Sequence, residues 1–335
     1  MDLGIFKAYD IRGIFPDQLD ENTAYLIGGA MANTLGCKHI AVARDIRLSS
    51  EALEQALVRG ITDTGTNVDI LGAIPTDALY FAVGKFGYDG GVMITASHNP
   101  AQYNGFKICR EKAIPLSADS GLPEIKHIVS RGKFHSEANP GTVHTKDVLS
   151  DYLAHCLSFI DTTKLSSFHI AVDAGNGVAG VFLPDLFEKI PFKAEQLFWE
   201  PDGNFPNHLP SPIEPENTKQ LREMVVEKGL DFGIAFDGDA DRMFIIDENG
   251  ELVGGDIVTA IVARKMLQTC AKCPIVYNLI CSKTVPQTIE AYGGIPVRSR
   301  VGHAFIKPIM REKNAIFGGE HSGPVSYTHL RAHET

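Results

Sequence analysis

Residues 232–246 read FGIAFDGDADRMFII, a polar loop between two apolar runs. The loop places carboxylates at three alternate positions, Asp237, Asp239 and Asp241, with Arg242 directly after them. The run before the loop has the length and the Ile and Phe content of a strand. A strand that ends in a polar loop is typical of an α/β sheet, where ligands gather at the carboxyl ends of parallel strands.

Two other loops follow apolar runs in the same way, TASHNP at 95–100 and GGEHSG at 318–323. Each of the three loops closes a pattern of strand, helix, strand, helix, strand. The repeat predicts an α/β fold of repeated three-layer α/β/α domains, with mixed, mostly parallel sheets around a central cleft. The predicted strands are 39–43, 67–71, 91–95, 169–173, 194–198, 232–236, 274–279, 295–298 and 315–318.

Two turn-rich stretches mark the domain boundaries. A polar segment follows Gly141, and residues 247–250 read DENG, which is a hairpin signal. We therefore expect a first domain at 1–145 with the serine loop, a second at 146–250 with the acidic loop, and a third at 251–324 with the glycine-rich loop.

The last residues, 325–335, have no apolar period. Their back-translation matches a sequencing-library adapter without a break, so we expect a non-native tail. In that case the natural protein continues beyond Gly323; a natural C-terminal tail is the alternative.

The composition is that of an ordinary globular protein, 44% hydrophobic and 21% charged over 335 residues. A net charge of −10 argues against a nucleic-acid partner, and the absence of a long apolar run argues against a membrane span. We expect a cytoplasmic location and small-molecule ligands, and the oligomeric state stays open. Six cysteines are scattered, and the pair Cys270 and Cys273 is interpreted as free thiols.

The loop at 95–100 offers a nucleophile. Ser97 follows a predicted strand, so its hydroxyl can be exposed at the turn and can carry a phosphoryl group. His98 and nearby backbone N–H groups could stabilise the anion. A plain turn that closes a strand is the alternative.

The acidic loop offers a site for a hard cation. Alternate side chains of an extended loop point the same way, so Asp237, Asp239 and Asp241 can converge on Mg²⁺. A phosphorylated Ser97 would complete the oxygen shell, and Arg242 could hold phosphate oxygens. An EF-hand is disfavoured because a strand precedes the loop, and a solvated acidic turn is disfavoured because apolar runs flank it.

The glycine-rich loop and several basic residues complete the candidates. Glu320 and Ser322 can hydrogen-bond vicinal hydroxyls, although such loops are often plain turns. Lys107 lies ten residues after Ser97, and with a lowered pKa it could act as general acid or base. Each basic group could also be a surface charge. The basic candidates are Arg12, Arg44, Lys107, Arg300, His303 and Lys307.

The motifs together resemble the α-D-phosphohexomutase family, and most closely its bacterial phosphomannomutase/phosphoglucomutase branch. The resemblance covers residues 3–323 in the order of the family. It rests on the segments at 6–13, 95–100, 104–107, 201–207, 237–242, 301–307 and 319–323.

The resemblance implies roles for these residues. Ser97 would be the phosphoserine, and it would bind Mg²⁺ together with Asp237, Asp239 and Asp241. Glu320 and Ser322 would bind the 3- and 4-hydroxyls of the sugar. The reaction would interconvert hexose 1-phosphate and hexose 6-phosphate, of mannose and/or glucose, through a 1,6-bisphosphate intermediate. The residues around the reacting groups would be Arg12, His98, Lys107 and Arg242, and those around the sugar phosphate would be Arg300, His303 and Lys307.

Two departures from the family pattern bear on activity. Pro324 stands where the family has a histidine, and no segment matches the phosphate-binding fourth domain of the family. We therefore expect this truncated chain to be inactive in full turnover, because transition-state stabilisation depends on positioning and charge.

Three alternatives stay open. Phosphoglucosamine mutase is disfavoured by His303 and by the segment at 6–13. A haloacid-dehalogenase-type phosphatase is disfavoured because Asp241 stands where that motif has Thr or Val. The third alternative is a catalytically incompetent fragment that binds sugar phosphates.

Overall fold

The computed structural model describes residues 2–321 and 325–327, and at 303, 304 and 325–327 it describes the backbone alone. Within these residues the chain forms three successive sheets with helices packed against them. The central strands end where their apolar runs give way to polar loops, and the chain leaves each sheet at that point. The expected α/β fold of mixed sheets is therefore confirmed.

The first sheet has the strand order β1-β5-β4-β2-β3-β7, and β6 adds to β5. Strands β4, β2, β3 and β7 are parallel, whereas β5 is antiparallel to both of its long neighbours. Its elements are β1 (Ile11–Ile14), α1 (Glu21–Leu35), β2 (His39–Arg44), α2 (Ser50–Thr62), β3 (Asn67–Ala73), α3 (Thr76–Phe86), β4 (Gly90–Ile94), β5 (Tyr103–Arg110), β6 (Ile114–Pro115), α4 (Leu122–Ser130) and β7 (Val143–Thr145).

The second sheet has the order β12-β11-β10-β8-β9. Strands β10, β8 and β9 are parallel, and β11 returns antiparallel to β10 after the acidic loop. Its elements are α5 (Leu149–Leu157), β8 (His169–Asp173), α6 (Ala179–Phe187), β9 (Lys193–Leu197), α7 (Lys219–Lys228), β10 (Phe232–Phe236), β11 (Met243–Ile246) and β12 (Leu252–Val253).

The third sheet has the order β14-β13-β15-β16. The backbone of β16 is antiparallel to β15. Its elements are α8 (Gly255–Leu267), β13 (Pro274–Asn278), α9 (Thr284–Ala291), β14 (Ile295–Ser299), α10 (His303–Lys313), β15 (Phe317–Gly319) and β16 (Val325–Tyr327).

The three sheets share one topology at their centres. In each, the first predicted strand lies between the second and the third, and all three are parallel. The strand that follows each polar loop then returns antiparallel beside the third strand. Each loop is therefore a chain reversal at the carboxyl end of a central parallel strand.

Each central strand buries both of its faces. In β2, Ile40 and Val42 pack with α1 and α2, while Ala41 and Ala43 pack with α3. Successive side chains of a strand point to opposite faces, so two cores form on one sheet. The same alternation divides the cores of the second and third sheets. This gives the three-layer α/β/α arrangement.

Two further observations concern cysteines and membranes. The structure joins Cys270 and Cys273 in a disulfide, so the interpretation of this pair as free thiols was wrong. The lack of a second cysteine pair argues against a zinc site, but the three-residue separation of Cys270 and Cys273 still allows the two thiols to meet. Across the described residues, the structure has no helix of the length and hydropathy that a bilayer crossing requires.

Arg47, in the loop between β2 and α2, fixes the loop that follows β4. Its side chain is fully buried, and its Nε lies 3.0 Å from Asp45 Oδ2. The other nitrogens donate to four backbone carbonyls, those of Ser97, Asn99, Pro100 and Tyr103. One planar guanidinium thereby satisfies four carbonyls of a single, partly buried turn.

The substitution Arg47→Met should lower the free energy of unfolding of the first domain by about 3–5 kcal/mol, because it leaves Asp45 as an unpaired buried charge. Chemical denaturation followed by circular dichroism measures the effect. Arg131→Met, at an exposed position of the same domain, should stay within about 0.5 kcal/mol of the unchanged protein. Equal midpoints for the two variants would contradict the role given to Arg47.

Candidate functional site

Ser97 lies at the carboxyl end of β4 in a strained backbone conformation. Its φ is 52°, which is uncommon for a residue other than glycine, and its side chain is buried. Its amide donates to Thr95 Oγ1 at 2.8 Å, and its carbonyl accepts from Arg47. Such a conformation persists only when its surroundings fix it. Here hydrogen bonds hold the backbone of Ser97 on both sides.

The hydroxyl of Ser97 meets the acidic loop of the second domain. Ser97 Oγ donates to Asp237 Oδ2 at 2.7 Å, and Arg242 Nη2 donates to Ser97 Oγ at 2.6 Å. Gly238 makes the close approach feasible, because a Cβ there would lie 2.5 Å from the carbonyl oxygen of Ser97. The predicted nucleophile and the predicted acidic loop are therefore in direct contact across the domain boundary.

The three carboxylates of the acidic loop converge as expected. One oxygen each from Asp237, Asp239 and Asp241 lies within 4.8 Å of the others, and Asp237 and Asp239 are fully buried. Burial and the negative charges of its neighbours raise the pKa of Asp237, against the opposing effect of Arg242. The cluster therefore concentrates negative charge away from water.

Lys107 is drawn into this cluster from β5. Its Nζ lies 2.6 Å from Asp239 Oδ2 and 2.6 Å from Asp241 Oδ2. Burial alone would lower the pKa of Lys107, but the two carboxylates outweigh burial and raise it well above its usual value. The lowered pKa under which Lys107 could act as general acid or base does not follow from this arrangement, because Lys107 pairs with two carboxylates that the sequence did not place beside it. Lys107 is therefore a cation here, which is the form that donates a proton.

Asp239 shows that the cluster fits a cation. Its Oδ2 accepts from Thr76 Oγ1 at 2.6 Å as well as from Lys107. Its Oδ1 is buried and has no hydrogen-bond partner. Burial disfavours the charged form, but Lys107 and Thr76 lower the pKa of Asp239, so the carboxylate is ionised. A buried carboxylate oxygen without a partner among three convergent carboxylates is a ligand of the kind that Mg²⁺ takes.

His98 and Arg12 border Ser97 on its other sides. His98 Nδ1 accepts a short hydrogen bond from Arg242, and burial together with that positive charge lowers the pKa of His98 to about 4. His98 is therefore neutral near pH 7. Arg12 donates to Asn99 Oδ1 and Asp10 Oδ2, while its buried Nε has no hydrogen-bond partner. Arg12 thus offers a free donor beside the serine loop.

The third domain contributes Glu320, which follows β15. Glu320 is buried, and its Oε1 accepts from the amide of Gly302 at 2.5 Å and from Asn278 at 3.4 Å. Burial raises the pKa of Glu320, and the charges of Asp241 and Arg242 also reach it. Hydrogen bonds within the third domain therefore hold the carboxyl group of Glu320, while charged groups of the second domain influence its pKa.

The other predicted sugar-binding residues are placed differently. The guanidinium of the exposed Arg300 stacks 3.9 Å from the ring centroid of Phe305. Lys307 Nζ lies 4.0 Å from the ring centroid of Tyr80 in the first domain, so it packs against α3, and the charge of Asp241 in the acidic loop also reaches it. The side chain of His303 and all of Ser322 lie outside the described residues.

Sequence reasoning missed two residues of this site, Arg47 and Thr76. Both follow parallel strands, Arg47 after β2 and Thr76 after β3, at the same edge as Ser97. The rule that polar residues after parallel strands meet at one edge therefore applied to both. Their residue types carry no local motif of the kind that marks the loops after the third strands.

The sequence matches the models of three domains of one family. The matches are phosphoglucomutase/phosphomannomutase α/β/α domain I at residues 4–136, domain II at 149–250 and domain III at 254–333. The matched segments together cover most of the chain.

Curated relatives give the same assignment. The chain is 41% identical over 322 residues to a protein of Xanthomonas campestris pv. campestris named phosphohexose mutases, covering 96% of this chain and 72% of the relative. It is 39% identical over 331 residues to a phosphomannomutase of Vibrio cholerae, with the same shares covered.

A solved structure is similar in fold and sequence. It is a crystal structure of a phosphoglucomutase/phosphomannomutase family protein from Burkholderia thailandensis, with a TM-score of 0.92 and 32% identity. The similarity covers 98% of this chain and 73% of that one. Sequence, fold and domain order agree, and the chain therefore belongs to the phosphoglucomutase/phosphomannomutase family of α-D-phosphohexomutases, intramolecular phosphotransferases that act on hexose phosphates.

Proposed function

We propose that this protein is built to interconvert hexose 1-phosphate and hexose 6-phosphate, of mannose and/or glucose, with Ser97 as the phosphoryl carrier, and that this chain, which we expect to be inactive in full turnover, retains phosphoryl transfer to and from Ser97. The observation that carries the proposal is the contact of Ser97 Oγ with Asp237 Oδ2 at 2.7 Å and with Arg242 Nη2 at 2.6 Å. A hydroxyl in contact with a convergent carboxylate cluster and an arginine fork suits an oxygen that carries phosphate.

The proposed transfer begins from phosphorylated Ser97. The bond between phosphorus and Ser97 Oγ breaks as a bond forms to the free hydroxyl of a hexose monophosphate, which gives the 1,6-bisphosphate. The proton of the sugar hydroxyl leaves to water or to a nearby carboxylate, and Lys107 in its cationic form can protonate the departing Oγ. The bisphosphate then returns its other phosphoryl group: the bond between phosphorus and that sugar oxygen breaks as a bond forms to Ser97 Oγ. The proton of Ser97 returns to Lys107, which the first transfer left neutral, and the freed sugar oxygen takes up the proton released in the first transfer, which completes the isomerisation.

Three cations surround the position of that phosphoryl group. Arg242 contacts Ser97 Oγ directly, Arg12 offers an unpartnered Nε beside the same loop, and Lys107 lies in the acidic cluster. Charge of this kind, fixed in place before the reaction, stabilises the transition state of phosphoryl transfer. Neutral His98 adds a hydrogen-bonding group without adding charge.

We propose that Asp237, Asp239 and Asp241 hold Mg²⁺ together with the phosphate on Ser97. The partnerless Oδ1 of Asp239 and the convergence of the three carboxylates support this ligand set. When bound, the cation supplies positive charge that neutralises phosphate oxygens as the phosphoryl group moves.

We propose that Glu320 binds hydroxyls of the sugar, with Ser322 beside it in the same loop. The 3- and 4-hydroxyls have the same configuration in glucose and mannose, which differ only at C2. A loop that recognises those two hydroxyls does not distinguish the epimers. Dual specificity is the expected consequence.

The proposal predicts that glucose 1,6-bisphosphate transfers one phosphoryl group to the chain in the presence of Mg²⁺. Ser97→Ala should reduce this charging by at least about 1000-fold, because the carrier atom is gone. Intact-protein mass spectrometry measures the gain. Ser130→Ala, at an exposed serine, is the control and should charge normally. Charging of the Ser97→Ala variant at the normal rate would show that another residue is the carrier.

Single-turnover discharge of the phosphorylated chain tests the sugar. The 1-phosphates of mannose and glucose should remove the phosphoryl group at rates within about tenfold of each other, because none of the proposed contacts involves C2. A contact that did distinguish the two sugars would change the rate by roughly 10–200-fold. Glucosamine 1-phosphate should be slower. Glu320→Gln should slow both preferred sugars alike, by about tenfold. Faster discharge by glucosamine 1-phosphate than by the other two would favour the phosphoglucosamine branch instead.

A further inference from the structure

The two oxygens of Asp239 have unequal surroundings. Oδ2 accepts two hydrogen bonds of 2.6 Å, one from Thr76 Oγ1 and one from Lys107 Nζ. Oδ1 is buried and accepts none. A buried carboxylate with four acceptor positions ordinarily shares its hydrogen bonds between both oxygens. The asymmetry therefore singles out Oδ1 as the oxygen that remains for a ligand.

Thr76 reaches Asp239 from the first domain. It is the first residue of α3, it is fully buried, and 163 positions separate it from Asp239 in the chain. Its backbone amide also donates to the carbonyl oxygen of Asp239 at 3.1 Å. Two hydrogen bonds from one residue thus fix both the main chain and the side chain of Asp239.

The two contacts have different consequences. The amide contact positions the backbone of the acidic loop and survives any substitution that keeps the helix. The hydroxyl contact acts on the carboxylate alone, because it holds Oδ2 and restricts rotation of the side chain. Lys107 cannot fix this rotation by itself, since it also pairs with Asp241 and its long side chain is adaptable.

We propose that Thr76 is a positioning residue for the cation site, holding Asp239 so that Oδ1 stays free to bind the divalent cation. The inference rests on the proposed function, in which Asp239 is one of the ligands. Two domains then build the cation site, because Thr76 of the first domain orients the ligand Asp239 of the second. Groups that orient metal ligands in this way typically change metal affinity by about 10–100-fold when they are removed.

Binding of Mn²⁺ to the unphosphorylated chain tests the inference without any reaction. Mn²⁺ is the probe because its free and bound forms are distinguished by electron paramagnetic resonance. Thr76→Val keeps the shape of the side chain and removes its hydroxyl, and we expect an affinity lower by about 10–100-fold. Thr76→Ser keeps the hydroxyl, so its affinity for Mn²⁺ should stay within about threefold of that of the unchanged chain.

Two controls separate orientation from stability. Thr66→Val removes a buried hydroxyl that donates to the carbonyl of Cys37 in the same domain, far along the chain from the acidic loop, and it should leave the affinity unchanged. Melting curves without metal should shift similarly for Thr66→Val and Thr76→Val. If Thr76→Val loses affinity no more than Thr66→Val does, or if Thr76→Ser loses as much as Thr76→Val, the inference is wrong.

Asp239→Asn separates failure of this inference from failure of the proposed cation site. Tight binding by the unchanged chain and its loss in Asp239→Asn support the site, and Thr76→Val then decides on the positioning role. If the unchanged chain and Asp239→Asn bind Mn²⁺ equally, Asp239 is not a ligand and both proposals are overturned.

Discussion

The hydrogen bond between Ser97 Oγ and Asp237 Oδ2 is the contact on which the site depends, because it joins two domains at the reacting atom. Arg47 donates a hydrogen bond to the backbone carbonyl of Ser97, and the side chain of Ser97 contacts Asp237 and Arg242 of the second domain. Neither domain alone presents both the hydroxyl and the carboxylates. The repeated topology makes the contact feasible, since each domain places a polar reversal at the carboxyl end of its central strands.

Charge balance explains why this contact needs both domains. The cluster holds three carboxylates, of Asp237, Asp239 and Asp241, against the two cations Lys107 and Arg242, so one negative charge is in excess when all five groups are ionised. Burial and the neighbouring carboxylates accordingly raise the pKa of Asp237. Burying unbalanced charge is costly unless a partner supplies the opposite sign. The first domain supplies Lys107 and the second supplies Arg242, and the excess favours a further cation.

Much of this arrangement could be predicted from the sequence. Ser97 and the Asp237 to Arg242 loop were recognisable because their residue types and alternate spacing carry chemistry locally. The nine central strands were predictable from short apolar runs bounded by turn residues. Arg47, Thr76 and the pairing of Lys107 were not, because their roles arise from contacts between distant segments. For the same reason the high pKa of Lys107 followed only from its position between Asp239 and Asp241.

The central claim is that the phosphate on Ser97 and the acidic loop form one site. Phosphorus NMR of the phosphorylated chain during addition of Mn²⁺ tests it most directly, because a paramagnetic ion broadens only nuclei that lie close to it. The account predicts that the phosphoserine signal disappears at about one equivalent of Mn²⁺, the stoichiometry of a single site, and stays sharp with Mg²⁺. A signal that remains sharp while Mn²⁺ is bound would contradict the account.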